Sequence, residues 1–198
     1  MYLKGKTINN ASANFTISGA SVTSHDDATN FGTMSISSLI FDLKTANKKF
    51  TIDGGTFIQT GGTISSKDME LKNGGTYSQS GGEVQIDHDL KVPPGTTFAA
   101  NGGTIHFTGA AGGGANYTGN VQFHNVLIDA GADYNSDNNS DNIKISDNFI
   151  NNNPNLDNDK GMVTFNGTAP QTIYSASTLP GSNTTFQNLV VSNPSGVT

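Results

Sequence analysis

The stretch F-T-I-D-G-G-T-F-I-Q-T-G-G, Phe50–Gly62, is followed along the chain by two variants of itself. Met69–Gly82 reads M-E-L-K-N-G-G-T-Y-S-Q-S-G-G, and Leu90–Gly103 reads L-K-V-P-P-G-T-T-F-A-A-N-G-G. Each copy ends in a glycine pair, and successive pairs lie about 20 residues apart, a period typical of solenoids. A solenoid stacks one short unit on the next, so this repeat predicts a rod without a deep pocket.

Short runs of alternating apolar and polar residues fill each unit, as in Phe50–Asp53, Met69–Lys72 and Val84–Asp87. A period of two sends one set of side chains to the core and the other to solvent. Glycine pairs between the runs supply the positive φ that tight corners need. A β-sandwich also has short strands, but its strands rarely keep one period. We therefore predict an all-β fold with negligible helix: a right-handed parallel β-helix, or β-solenoid, of about 20 residues per rung, formed by residues 1–198 as a single segment.

Stacked rungs bring equivalent residues of successive units into columns. The predicted columns are Phe50, Met69 and Leu90 in the core; Ile52, Leu71 and Val92 in the core; Phe57, Tyr77 and Phe98 in the core; Thr56, Thr76 and Thr96 at the surface or a corner; and Gln59 with Gln79 inside a corner. Amide side chains stacked in a corner can form a hydrogen-bond ladder.

The part of the chain that departs most from this pattern is residues 130–160, which are rich in Asn and Asp. These residue types favour turns, so we predict loops inserted between the rungs there. The four apolar residues Ile143, Ile145, Phe149 and Ile150 are expected to hold one rung within this region.

Composition narrows the classes of function. The chain has no cysteine, which excludes disulfides, thiolate metal sites and cysteine nucleophiles. Its net charge of −6 and sequence pI near 4.9 do not favour a nucleic-acid partner, which would select a basic surface. No apolar run approaches the length of a membrane-spanning helix, so no membrane insertion is expected.

Oxygen-bearing side chains alternate in the stretch just before Gly161. Asn155, Asp157 and Asp159 could place amide and carboxylate oxygens on a tight loop, which suits calcium, a hard cation with oxygen ligands. These three residues are the predicted calcium ligands, and no other cofactor is expected. A second acidic patch spans residues 133–141. The alternative for both stretches is a solvated loop rich in Asn and Asp.

The residues do not predict an enzyme. Polysaccharide lyases and glycosidases need clustered carboxylates with a base or a second acid, and no such cluster or other catalytic motif is evident in the sequence. A zinc site needs three or four ligands, whereas the histidines lie far apart in sequence: His25, His88, His106 and His124. A carbohydrate-active β-helix enzyme remains the first alternative. An ice-binding solenoid is the second, although a full T-x-T array is absent.

The last 40 residues carry a more specific phrase. Gly161–Tyr174 reads G-M-V-T-F-N-G-T-A-P-Q-T-I-Y, and Thr184–Thr198 reads T-T-F-Q-N-L-V-V-S-N-P-S-G-V-T. Together they resemble a unit that recurs in very large surface proteins of Bacteroidota, and residues 103–129 resemble it more loosely. The phrase is structural and specifies no active site.

The resemblance implies a repeat segment of a longer, secreted, adhesin-like protein at the bacterial cell surface. Such proteins are often type IX secretion substrates, and some serve gliding motility. The expected function is therefore a structural or adhesive stalk segment that extends and presents binding regions for attachment or gliding. The expected partners are neighbouring repeats of the same chain, the secretion machinery, and a carbohydrate or other surface ligand.

Overall fold

Parallel strands wind into a β-solenoid of about 7 turns with roughly 21 residues per turn. The structure is a computed structural model that describes residues 1–19, 21–109, 115–132, 134–136, 139–154, 157–176 and 184–198, with only the backbone of 115–118, 134–135 and 157–159. The described part contains no helix, and hence none that could cross a membrane. The predicted fold class is confirmed, while the hand of the winding stays a prediction.

The strands are short, as alternating runs between glycine corners require. In chain order they are β1 (Tyr2–Leu3), β2 (Thr7–Asn9), β3 (Asn14–Ile17), β4 (Val22–Ser24), β5 (Ala28–Asn30), β6 (Thr33–Ile36), β7 (Ile40–Asp42), β8 (Phe50–Asp53), β9 (Thr56–Gln59), β10 (Thr63–Ser66), β11 (Met69–Lys72), β12 (Thr76–Ile86), β13 (Asp89–Lys91), β14 (Thr97–Phe107), β15 (Ala115–Thr118), β16 (Asn120–Phe123), β17 (Asn125–Ile128), β18 (Tyr134–Ser136), β19 (Asn142–Ile145), β20 (Phe149–Asn151), β21 (Asp157–Phe165), β22 (Ile173–Ser175) and β23 (Thr185–Val191).

Each full turn contributes one strand to each of three faces. The base face is a 7-stranded sheet of β2, β5, β8, β11, β13, β15 and β18. The threonine face contains β3, β6, β9, the first halves of β12 and β14, then β16, β19 and the ends of β21 and β23. The histidine face contains β1, β4, β7, β10, the second halves of β12 and β14, then β17, β20 and β22. The last two faces form one continuous sheet because β12 and β14 bend around their shared corner without ending.

The register of the sheets confirms most of the predicted core columns. Phe50 pairs with Met69 and Met69 with Leu90 on the base face. Ile52 pairs with Leu71, and Val92 beyond β13 is also buried. The aromatic column Phe57, Tyr77 and Phe98 is in register, with ring centroids of Tyr77 and Phe98 4.5 Å apart. All of these side chains are buried, so the repeat does set the core.

The predicted glutamine pair lies inside the corner between the threonine and histidine faces. Gln59 and Gln79 are register partners, and both are buried. Gln59 Nε2 donates to the carbonyls of Gly62 and Glu83, at 3.1 and 3.0 Å, so its amide spans two turns. The Tyr77 hydroxyl donates to Gln59 Oε1 at 2.7 Å, and burial raises the pKa of Tyr77 well above its ordinary value. Gln79 Nε2 donates to the Gly82 carbonyl at 3.1 Å, whereas Gln79 Oε1 is buried without a hydrogen-bond partner among the described residues. The two amides therefore fill the corner without forming a complete ladder.

The predicted threonine column is wrong at one member. Thr56 and Thr76 are partners, but the next residue in the column is Thr97, not Thr96. The extra residue lies before Leu90: four steps lead from Ile86 to Leu90, but only three lead from Ser66, the partner of Ile86, to Met69. The Pro93-Pro94-Gly95 turn that follows has the same length as its counterpart in the turn before. Thr96 belongs to that turn, since its hydroxyl donates to the Pro93 carbonyl at 2.7 Å.

Strands β18 to β21 lie within the region predicted to hold inserted loops, as far as its described residues show. Ile143, Ile145 and Phe149 are buried, in agreement with the predicted rung. Ile150 is exposed, contrary to the prediction. It follows Phe149 in the same strand, and neighbouring residues of a strand point to opposite sides of the sheet.

Candidate functional site

The side chains of the predicted calcium ligands lie outside the described part of the structure. Asn155 is outside the described residues. Asp157 and Asp159 lie in β21, of which residues 157–159 are described by backbone alone. The backbone there is extended, with Asp157 paired with Thr185 of β23. Calcium at these residues stays a prediction.

The second acidic patch is described only in part. Asp133 and Asp137 lie outside the described residues, and Asn139 is exposed. Asp141 is buried: its Oδ1 accepts the Gly119 amide at 2.7 Å and its Oδ2 accepts the Ser136 hydroxyl at 2.8 Å. Asp141 therefore ties neighbouring turns together, which gives it a structural role.

Two histidines lie on the outside of the solenoid beside carboxylates. His106 Nδ1 is 2.6 Å from Glu83 Oε1, and His106 Nε2 is 2.9 Å from Asp129 Oδ1. His124 Nε2 lies 3.3 Å from Asp147 Oδ2. The outward placement expected from the alternating pattern is correct, but the carboxylates cover His106, whose side chain is only 13% exposed. His106 lies between carboxylates of the neighbouring turns, because Glu83 belongs to the turn before it and Asp129 to the turn after.

A charged corner lies between the histidine face and the base face and consists of Asp68, His88, Asp89 and Lys91. His88 Nδ1 is 3.0 Å from Asp68 Oδ1 and 3.2 Å from Asp89 Oδ1. The Asp89 amide donates to the same Asp68 oxygen at 3.1 Å. Lys91 Nζ lies 2.8 Å from Asp89 Oδ2, and this hydrogen bond raises the pKa of Lys91. Sequence reasoning missed this cluster, although the alignment of Met69 with Leu90 implies that the preceding Asp68 and Asp89 also align.

The base face beside this corner carries further paired charge. Glu70 Oε2 lies 3.1 Å from Lys49 Nζ and 3.2 Å from Lys72 Nζ. Burial raises the pKa of Glu70, but the hydrogen bonds from the two lysines outweigh it and hold that pKa below its ordinary value. Lys44 Nζ also donates a hydrogen bond to Thr108 Oγ1, at 2.6 Å. The Lys49–Glu70 and Lys44–Thr108 pairs cross between turns and favour the stacked register.

The threonine face carries a regular, uncharged stretch over four turns. Thr33, Thr56, Thr76 and Thr97 are aligned as consecutive partners. The second outward column of the same turns is Ser35, Ile58, Ser78 and Ala99. In successive turns the face therefore reads T-x-S, T-x-I, T-x-S and T-x-A. The threonine column is more regular than the sequence predicted, but no turn has a second threonine.

The phrase near the end of the chain builds a buried amide cluster. Gln171 Oε1 accepts the Gly167 amide at 2.9 Å and the Asn193 side-chain amide at 2.8 Å. Gln171 Nε2 donates to the carbonyls of Ile145 and Asp147, at 2.9 and 2.6 Å. Gln171 and Asn193 are both buried. These residues of the phrase hold turns together, in agreement with the expectation that the phrase is structural.

The surface has shallow grooves. One groove of about 250 Å³ lies on the threonine face, with Thr97, Asn120, Gln122 and Lys144 in its lining. A larger one of about 600 Å³ lies at the last turns and includes Asp141, Gln187 and Leu189. Neither groove gathers a base with two carboxylates, which the carbohydrate-active alternative would need.

Comparison with known proteins adds nothing to the geometry. No family model, no curated protein and no solved structure matches this chain. The resemblance to Bacteroidota surface proteins therefore stays a prediction.

Proposed function

We propose that this chain is a structural and adhesive stalk segment of a large bacterial cell-surface protein. It extends the molecule by stacked turns and presents binding regions for attachment or gliding. We expect the protein to be exported by type IX secretion and to lie outside the cell. No catalysis is proposed.

One observation carries the proposal: the interior columns continue to the last strand, and their side chains are uncovered there. Leu189 and Val191 of β23 are the register partners of the buried Val163 and Phe165. Yet Leu189 is 47% and Val191 is 53% exposed. Among the described residues no further strand covers Leu189 and Val191, and such an apolar strand edge is a place where a further rung packs, since uncovered edges of this kind favour aggregation. A neighbouring repeat is the partner that fits this edge.

The histidine face offers an outward contact surface for attachment. Leu127, Ile150 and Tyr174 form one outward column over three turns. Ile150 and Tyr174 are exposed. An exposed apolar and aromatic strip suits a carbohydrate or another surface ligand, because an aromatic ring has an apolar body and a polar tip.

The proposal is tested on the cells that produce the protein. An antibody against residues 1–198 is used for immunoblots before and after protease treatment of intact cells. We expect a band far larger than the 20.6 kDa of this segment, and we expect protease treatment to remove it. A cytosolic protein that survives the same treatment is the control for cell integrity. A protease-resistant band near 20.6 kDa would contradict the proposal.

The regular threonine column favours a second candidate, an ice-binding solenoid. Four threonines aligned on an uncharged stretch of the threonine face are the observation in its support. Growth of single ice crystals in purified protein separates the two candidates. Faceted crystals with delayed growth would favour ice binding, and Thr76→Asp should then abolish the effect because it puts a charge in the middle of the face. Unaltered crystal growth would leave the stalk as the remaining proposal.

A further inference from the structure

Two carboxylates of the charged corner are stacked on consecutive turns. Met69 pairs with Leu90, so the residues before them, Asp68 and Asp89, occupy the same corner position one turn apart. Aligned like charges on neighbouring strands repel each other. A positive group is therefore needed between these carboxylates. Lys91 Nζ contacts Oδ2 of Asp89. The Oδ1 atoms of Asp68 and Asp89 face His88.

The donor atoms that face each other have the spacing of metal ligands. His88 Nδ1 lies 3.0 Å from Asp68 Oδ1 and 3.2 Å from Asp89 Oδ1. All three atoms lie within 4.8 Å of one another. In a tetrahedral zinc site with metal–ligand distances of about 2.0–2.2 Å, neighbouring ligand atoms are about 3.3–3.6 Å apart. A small adjustment of the three side chains would thus bring them into coordination distance.

We propose that Asp68, His88 and Asp89 form a zinc site that clamps two consecutive turns of the solenoid. An imidazole nitrogen together with two carboxylate oxygens suits Zn²⁺ and similar first-row divalent ions. Calcium and magnesium prefer ligand sets made of oxygen alone, so the histidine disfavours them. The side chains remain open to solvent, with His88 36% exposed, which leaves room for a water as the fourth ligand.

The backbone holds the ligands in place. The His88 amide donates to the Lys67 carbonyl at 2.8 Å, which fixes the corner of one turn on the other. The Asp89 amide donates to Asp68 Oδ1 and orients that carboxylate toward His88. Because Asp68 belongs to one turn and His88 and Asp89 to the next, a bound ion would resist separation of the turns. This stabilisation adds to the stalk function and does not depend on it.

Thermal unfolding of the purified protein with ZnCl₂, CaCl₂ or MgCl₂ tests the proposal. We expect zinc alone to raise the melting temperature, since an ion that binds only the folded state stabilises it. Titration with Co²⁺ is the second readout, because tetrahedral cobalt gives intense visible bands that six-coordinate surface binding does not. The absence of both a zinc-dependent shift and tetrahedral cobalt bands would overturn the proposal.

Variants separate this site from other zinc-binding positions. His88→Ala should weaken zinc binding at least about 100-fold, because loss even of outer-shell partners costs 10- to 100-fold. His106→Ala, which removes another histidine flanked by carboxylates, should leave zinc affinity unchanged. Lys91→Ala should tighten zinc binding several-fold, since it removes a cation 2.8 Å from Asp89. If the His88→Ala variant fails to fold, the Asp68→Asn variant is measured in its place, because asparagine has nearly the same shape as aspartate. Zinc affinity that is unchanged in the folded variant would overturn the proposal.

Discussion

Gly103→Ala should lower the free energy of unfolding by on the order of 3 kcal/mol. Gly103 has φ +78°, which side chains with a Cβ rarely adopt. A Cβ built there would lie 2.4 Å from the Gly82 carbonyl oxygen and 2.6 Å from Gln79 Nε2. The backbone of one turn would therefore have to move away from the turn before it. Urea unfolding followed by circular dichroism measures the loss.

Gly95→Ala is the matched control. Gly95 has φ +84°, close to that of Gly103, but nothing lies within 4 Å of its added Cβ. The free energy of unfolding of this variant should fall by only about 1 kcal/mol, the cost of placing a residue with a Cβ at positive φ. The difference between the two variants therefore reports the close contact between turns. Equal losses in Gly95→Ala and Gly103→Ala would show that the turns do not approach each other at this corner.

Gln171→Leu should lower the free energy of unfolding by about 4 kcal/mol, because it removes one side chain that serves four hydrogen-bond partners, three of them buried. The Gly167 amide, the Asn193 side chain and the carbonyls of Ile145 and Asp147 would all lose a hydrogen bond. Each buried group left without a partner costs about 1–3 kcal/mol, although local rearrangement recovers part of this. The midpoint of urea unfolding is the measurement.

Two further variants identify the cause of the loss. Gln187→Leu makes the same chemical change at an exposed position of β23 and should alter stability by less than about 0.5 kcal/mol. Gln171→Glu keeps the side-chain shape but turns an acceptor toward the carbonyls of Ile145 and Asp147. It should destabilise the protein as well, since two acceptors then face each other. A stable Gln171→Glu variant would show that the volume of the side chain matters and its hydrogen bonds do not.

The columns of the core could be predicted from the sequence because the period is regular between Phe50 and Gly103. Residues that share a position in the repeat share a position in the stack, as Phe57, Tyr77 and Phe98 do. The prediction failed at Thr96 because the preceding corner, between Ile86 and Leu90, holds one residue more than the corner between Ser66 and Met69. The core column makes the same 21-residue step from Tyr77 to Phe98, so Thr76 aligns with Thr97.

The polar clusters were harder to predict than the core. The charged corner needs the register of Asp68 with Asp89, and it also needs the imidazole of His88 to turn toward both carboxylates. The repeat period predicts that Asp68 aligns with Asp89, but it does not predict the orientation of the His88 imidazole. The Gln171 cluster joins residues more than 20 positions apart through backbone carbonyls, which leave no trace in side-chain patterns.

The central claim is that this chain gains length by one step per turn. Outward residues of the threonine face provide a direct test, because Thr16, Ser35, Ile58, Ser78, Ala99, Gln122 and Lys144 are consecutive register partners. The chain has no cysteine, so pairs of introduced cysteines can be spin-labelled without background. Distances by pulsed electron paramagnetic resonance are then measured from Lys144→Cys to Ile58→Cys, Ser35→Cys and Thr16→Cys.

At about 4.8 Å per turn, a stacked rod should give distances of about 19, 24 and 29 Å for separations of four, five and six turns. The labels widen each distribution, but the rise from one pair to the next should persist. Three distances that do not increase in this order would contradict the stacked rod, and with it the proposed stalk.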